Sequence, residues 1–158
     1  MAQALAMENE AAQRYAELAD AMETHNNRDV AELFRKMAAI ERKHAAQIMA
    51  EMGWNEPPPL AKIAWEDFEG PETAAADEVH YLMQPYHALE IALANEKRAE
   101  RFFARLLRAA TVASVRKAAR ELLTEERGHV ALVAAWLKKV PRPKKDWSHD
   151  PDPPSFTD

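Results

Sequence analysis

The sequence predicts an all-α protein, a four-helix bundle of two antiparallel helix pairs joined by a long crossover. Three observations carry that reading. Glycine occurs only 3 times in 158 residues while alanine, leucine, glutamate, arginine and lysine abound, a composition suited to helices with short turns. Apolar residues recur at alternating spacings of four and three along four long segments, the period of a helix that buries one face. The connections between these segments run short, long, short, so the first two and the last two segments pair as hairpins and the middle connection crosses over.

The first segment, residues 2–24, places Met1, Leu5, Ala12, Tyr15, Ala19 and Met22 on one face and is broken by "HNN" at 25–27. The second, residues 29–52, buries Val30, Phe34, Met37 and Ile48; Gly53 supplies a C-terminal stop and Pro57, Pro58 and Pro59 prevent continuation. Residues 54–73 form a connection rich in proline, tryptophan and acid, and residues 73–83 are expected to form a short extra helix. The third long helix is expected over residues 85–110, because proline suits a first turn, with Leu89, Leu93, Phe103 and Leu107 inward. The fourth, residues 112–139, turns Val112, Val115, Ala119, Leu122, Val133 and Trp136 to the core. Residues 1–140 thus read as one bundle. Residues 141–158, which hold 5 of the 10 prolines, read as an extended or disordered tail.

Composition excludes several function classes. With no cysteine there is no disulfide, thiolate metal site or cysteine nucleophile. A formal net charge of −5 gives no electrostatic case for nucleic acid or an anionic membrane. No apolar run approaches the roughly 20 residues that span a bilayer. The opening "MAQALAMENEAAQRY" lacks the basic-then-apolar order of a signal peptide, so the expected location is cytoplasmic.

Each buried stripe is interrupted by one glutamate. They are Glu8, Glu41, Glu96 and Glu126, and the second and fourth stripes add His44 and His129 one turn later. Glu10 falls instead on the polar row Gln3, Glu10, Glu17, Thr24. A buried carboxylate loses on the order of several kcal/mol of hydration, and clustered like charges repel. No lysine or arginine lies on these stripes to neutralise them. Two divalent cations would balance the four carboxylates, with neutral imidazoles of His44 and His129 completing the ligand set. Single glutamates on two helices and Glu-x-x-His on the other two build di-iron or di-manganese sites in helix bundles. Mixed carboxylate and imidazole donors suit iron or manganese, and zinc can take their place. Tyr15 reads as a core aromatic or as a hydrogen-bond donor to a ligand carboxylate. Its mate in the other half, Phe103, has no hydroxyl. The remaining histidines, His25, His80, His87 and His149, are expected in loops or on the surface.

The two halves also resemble each other. "ENEAAQRYAEL" from Glu8 aligns with "EKRAERFFARL" from Glu96, and "ERKHAA" from Glu41 with "ERGHVA" from Glu126. The offset is 88 for the first pair and 85 for the second, which a shorter second loop would explain. This pattern suggests a duplicated helix pair about a pseudo-twofold axis.

These motifs resemble the ferritin-like superfamily, and most of all its rubrerythrin branch, also called erythrin domains. The resemblance covers residues 1 to about 140 and rests on "ENEAAQRY", "ERKH", "ANEKRAERFF" and "EERGH". It implies a carboxylate-bridged di-iron centre in which Glu41 and Glu126 bridge, Glu8 and Glu96 are terminal, and His44 and His129 each bind one metal. It implies reduction of hydrogen peroxide, or O2, with oxidation of Fe(II). Two departures stand out. Full rubrerythrins carry a cysteine-ligated rubredoxin domain, so here a separate electron-donor protein is required. They also carry an extra carboxylate near the third-helix ligand; the only candidate here is Glu100, which reads better as a surface acid. The competing functions are ferroxidase chemistry for iron storage or delivery, a di-iron hydroxylase, and a non-enzymatic metal-binding bundle. Surplus apolar side chains on the helix faces lead to an expected homodimer.

Overall fold

The structure is a computed structural model that describes residues 1–59 and 84–142. The expected helix over 73–83, His80, His149 and all but the first two residues of the expected tail lie outside the described residues. Among the described residues there are four long helices, α1 (Ala2–Thr24), α2 (Arg28–Met52), α3 (Pro85–Ala109) and α4 (Ala113–Lys139), and no strand. Each expected boundary is met within one residue. None of the described helices is long and apolar enough to cross a membrane.

The turns follow from local chemistry. Between α1 and α2, Asn26 adopts φ 61°, a left-handed conformation that asparagine tolerates better than most residues. α2 ends on Gly53 at φ 70°, where the Gly53 N–H bonds to the Ala50 carbonyl and the Trp54 N–H to that of Met49. That double closure requires a residue comfortable at positive φ, which is why glycine stands there. Between α3 and α4 the guanidinium of Arg116 donates to the carbonyls of Leu107 (2.7 Å) and Ala110 (3.0 Å), satisfying acceptors that the end of α3 leaves open.

The second loop is not shorter than the first. Both connections span three residues, 25–27 and 110–112. The changed offset arises within the helices: α1 runs on to Thr24 after Glu8, while α3 stops at Ala109 after Glu96, almost one turn sooner.

α1 packs chiefly on α2 and α3 on α4, and the two hairpins meet face to face. The core falls into two apolar clusters. One holds Tyr15, Met22, Phe34, Met37, Leu89 and Val133; the other holds Leu5, Ile48, Phe103 and Leu122. The glutamates and histidines of the stripes form a polar layer between them.

Three expectations about burial are corrected. His87 is buried, because the first turn of α3 tucks it beside Ala88 and Leu89 with its ring edge-on to Tyr86. Ala92 rather than Leu93 takes the fully buried position on α3. Val112 is 58% exposed, since it precedes α4 as its cap and does not belong to the inward face.

Candidate metal centre

All six stripe-borne polar residues converge in the middle of the bundle. Glu8, Glu41, Glu96 and Glu126 are no more than 2% exposed, and His44 and His129 are buried with them. Their ligand atoms fall into two groups, Glu8–Glu41–His44–Glu126 and Glu41–Glu96–Glu126–His129, and within each group the atoms lie within 4.8 Å of one another. Glu41 and Glu126 belong to both.

The two groups are related by the pseudo-twofold axis that the sequence repeat suggested. The Nδ1 of His44 lies 3.4 Å from Glu8, 3.8 Å from Glu41 and 3.4 Å from Glu126. The Nδ1 of His129 lies 3.5 Å from Glu96, 3.8 Å from Glu126 and 3.4 Å from Glu41. Exchanging the hairpins maps one set onto the other to within 0.1 Å. The two rings stack near the axis, with centroids 5.6 Å apart and 14° between planes.

Helix geometry produces this. Residues three apart lie on one face, so each Glu-x-x-His delivers a carboxylate and an imidazole to the same side of its helix. The single glutamates of α1 and α3 meet them from across the bundle. Tyr15, seven residues after Glu8, donates its hydroxyl to Glu96 at 2.9 Å and stacks on Phe34 with centroids 6.0 Å apart. It is therefore both core aromatic and hydrogen-bond donor to a cluster carboxylate. Glu100 stays outside the cluster and pairs with Arg127 at 3.3 Å.

The chain matches the rubrerythrin family model over residues 1–137. It belongs to the rubrerythrin family. An uncharacterised conserved protein from Magnetospirillum magnetotacticum MS-1, solved by crystallography, is 37% identical. The match covers 92% of this chain and 95% of that one with a TM-score of 0.77, so the ferritin-like bundle is common to both. No curated protein matches the chain.

The donor set fits the cations that the rubrerythrin family binds. Buried with no hydrogen-bond partner are Glu8 Oε1, Glu41 Oε1, both carboxylate oxygens of Glu126, His129 Nδ1 and, on the outer side of its ring, His44 Nε2, whose contact with Glu125 is an ion pair without hydrogen-bond geometry. Lone pairs that converge without hydrogens between them form an acceptor shell, and among the described residues no lysine or arginine is buried to fill it. Without a cation, protons must compensate. Burial, and then the neighbouring Glu96, push Glu126 far above the carboxylate range. Burial also raises Glu8 to about 7 and, reinforced by Glu8, raises Glu41 to about 9. Burial works to raise Glu96 as well, but the neighbouring His129 and Glu126 side chains and the Tyr15 hydroxyl hold it below its ordinary value. His129 is opposed by burial, yet the Glu41 and Glu96 carboxylates lift it to about 10. The family's metals would take the place of these protons.

A cavity of about 50 Å³ opens between α1 and α3 onto this layer. Glu8, Tyr15, Glu41 and Glu96 form its floor, and Arg14 and Arg98 stand among its walls. Glu10, expected to face outward, is half-buried at the same cavity and pairs with Arg14 at 3.0 Å.

One residue of the site was missed by the sequence reading. The carboxylate of Glu125, on a side chain 51% exposed, pairs with the Nε2 of His44. Its position one residue before Glu126 lies off the buried stripe, where periodicity gives no reason to single it out. The available signal was a mismatch in the repeat, since the equivalent residue before Glu41 is Ile40.

Proposed function

We propose that Glu8, Glu41, His44, Glu96, Glu126 and His129 hold two iron ions, with Glu41 and Glu126 shared between them, and that the centre reduces hydrogen peroxide. Manganese or zinc would fit the same donors. The observation that carries this reading is the pair of buried side-chain groups that share Glu41 and Glu126. Bound there as Fe(II), two iron ions would supply the two electrons that, with two protons, reduce hydrogen peroxide to two waters.

The chain's own residues do the rest. Two apolar clusters exclude bulk water from either end of the layer. The Tyr15 hydroxyl fixes Glu96 in one orientation. The cavity admits a molecule of peroxide or O2 to Glu8, Glu41 and Glu96, but its volume of about 50 Å³ is small for an organic substrate, which disfavours the hydroxylase alternative. These 158 residues contain no cysteine and so no thiolate-ligated electron relay, and the electrons that return the centre to Fe(II) would come from outside this bundle. Oxidation of Fe(II) without that return is the ferroxidase reading.

Anaerobic loading with Fe(II) followed by stopped-flow absorbance separates the readings. Peroxide should oxidise two irons per chain far faster than O2 does. Turnover of many irons per chain with O2 would replace the peroxidase reading with ferroxidase activity. Loss of neither iron in Glu41→Ala and Glu126→Ala would overturn the site itself.

A further inference from the structure

The pseudo-twofold symmetry of the six ligands is broken just outside them, twice, and in the same sense. At the Glu8/His44 half, the carboxylate of Glu125 lies in ion-pair contact with the Nε2 of His44, a nitrogen with no hydrogen-bond partner and so open to this one. At the Glu96/His129 half, the ion pairs of His129 run through Nδ1, and the residue in register with Glu125 is Ile40. A carboxylate on the far nitrogen of a ligand imidazole fixes the tautomer that leaves Nδ1 free to coordinate, orients the ring, and makes Nδ1 a better donor. The second difference concerns the terminal carboxylates. Glu96 accepts the Tyr15 hydroxyl at 2.9 Å, while the residue in register with Tyr15 in the other half is Phe103, which has nothing to donate. A donated hydrogen bond occupies a lone pair of Glu96 and draws negative charge from its metal side. One half gains donor strength and the other loses it.

We infer that Glu125 is a positioning residue which, acting through His44, makes the Glu8/His44 position the tighter of two unequal metal sites, so that the centre fills in order. This rests on the two-metal reading proposed above. An ordered centre has a chemical consequence. The metal in the Glu96/His129 position, held by the poorer donors, is the one exchanged more readily, while the Glu8/His44 metal stays in place.

The test is a titration of the chelator-treated full chain with Zn(II), followed by calorimetry and by the imidazole signals of His44 and His129 in 15N NMR. In the unmodified chain the isotherm should show two steps, and the first equivalent should shift His44 before His129. In Glu125→Gln, which keeps the shape and removes the charge, the first step should weaken by about 10- to 100-fold, the usual effect of losing such a partner, and the interval between the two ring shifts should narrow to what the Tyr15–Glu96 bond alone sustains. Ile40→Glu, which installs the missing partner, should strengthen the second step in an otherwise native protein. Glu125 is half-exposed, so the unfolding temperature of chelated Glu125→Gln should match the parent and shows that any loss is not misfolding. Failure of the unmodified chain to take up two equivalents would sink the two-metal reading. Uptake of two equivalents with both rings shifting in parallel, or a first step of unchanged affinity in Glu125→Gln, would overturn the role of Glu125 and leave the centre standing.

Discussion

Replacing Glu126 with methionine should stabilise the metal-free protein and abolish its stabilisation by metal. Glu126 is 0% exposed, and neither carboxylate oxygen has a hydrogen-bond partner. Its carboxyl is held far above the usual range, first by burial and then by Glu96, so without a cation it is a neutral acid in a dry core. A buried polar group left unsatisfied costs about 1–3 kcal/mol. Methionine has similar length and flexibility and no such group, with a repacking penalty of up to about 1.5 kcal/mol. The expected net change is centred on a gain of about 1 kcal/mol, which in a chain of this size raises Tm by about 2–4 °C.

Metal should invert that ranking. A ligand present at about 100 times its Kd stabilises the form that binds it by about 2.7 kcal/mol. The parent chain has a full ligand set and should gain at least this from Mn(II); Glu126→Met lacks a residue common to both groups and should gain almost nothing. Thermal unfolding followed by circular dichroism, in chelator and then in Mn(II), reads both effects. If chelated Glu126→Met melts below the parent, the carboxyl belongs to the structural core and the charge argument fails. An equal Mn(II) gain in both proteins would show that the metal binds elsewhere.

Three further outcomes are expected. The metal-free chain should lose stability as pH rises from about 5 to about 9: Glu8 and Glu41 are raised to about 7 and about 9 in the fold, so their contribution is complete below the unfolded carboxylate range and disappears as pH passes each folded value. Melts of chelated protein across that window check this, and a Tm that climbs with pH would contradict it. Metal uptake at pH 7 should release about three protons, because Glu41, Glu126 and His129 are each protonated without it and Glu8 is near its midpoint; calorimetry in buffers of different ionisation enthalpy counts them, and release of fewer than one would refute the protonation scheme. Tyr15→Phe should lower the metal-free Tm by the equivalent of about 1.5–3 kcal/mol, the usual worth of a hydrogen bond to a charged group, because Glu96 loses a buried donor; an unchanged Tm would place that hydroxyl outside the network.

The fold and the convergence of six polar side chains in its core were legible because both are written in one periodicity. An acid at the inward position of an amphipathic helix departs from its row, and four such departures, two followed by histidine at the third residue, mark Glu8, Glu41, His44, Glu96, Glu126 and His129 as buried neighbours without coordinates. Tyr15 could be narrowed to two roles but not decided, because whether its hydroxyl reaches Glu96 depends on how α1 and α3 face each other. His87 was misjudged because the end of a bundle is closed by whatever the first turn of a helix presents, and the stripe rule says nothing about that turn. Glu125 was missed for the opposite reason. Its backbone position is a solvent-side one, and a glutamate there is unremarkable until its carboxylate is seen against His44.

The division of the core explains how such a layer is tolerated. Cooperative burial comes from the two apolar clusters, which contain the large side chains Phe34, Met22 and Met37 at one end and Phe103, Ile48 and Leu122 at the other. Both clusters are tied by helices that run unbroken through the polar layer, so the middle need not favour folding for the ends to hold it. The layer can then keep unsatisfied oxygens in place for a cation, a preorganisation that a smaller or single-clustered core could not sustain. Symmetry supplies two equal half-sites at no extra sequence cost, and departures at positions outside the ligand set, Glu125 against Ile40 and Tyr15 against Phe103, are what allow the halves to differ. Such changes leave the six donors and their distances untouched, so the relative strength of the two positions can be tuned without dismantling the centre.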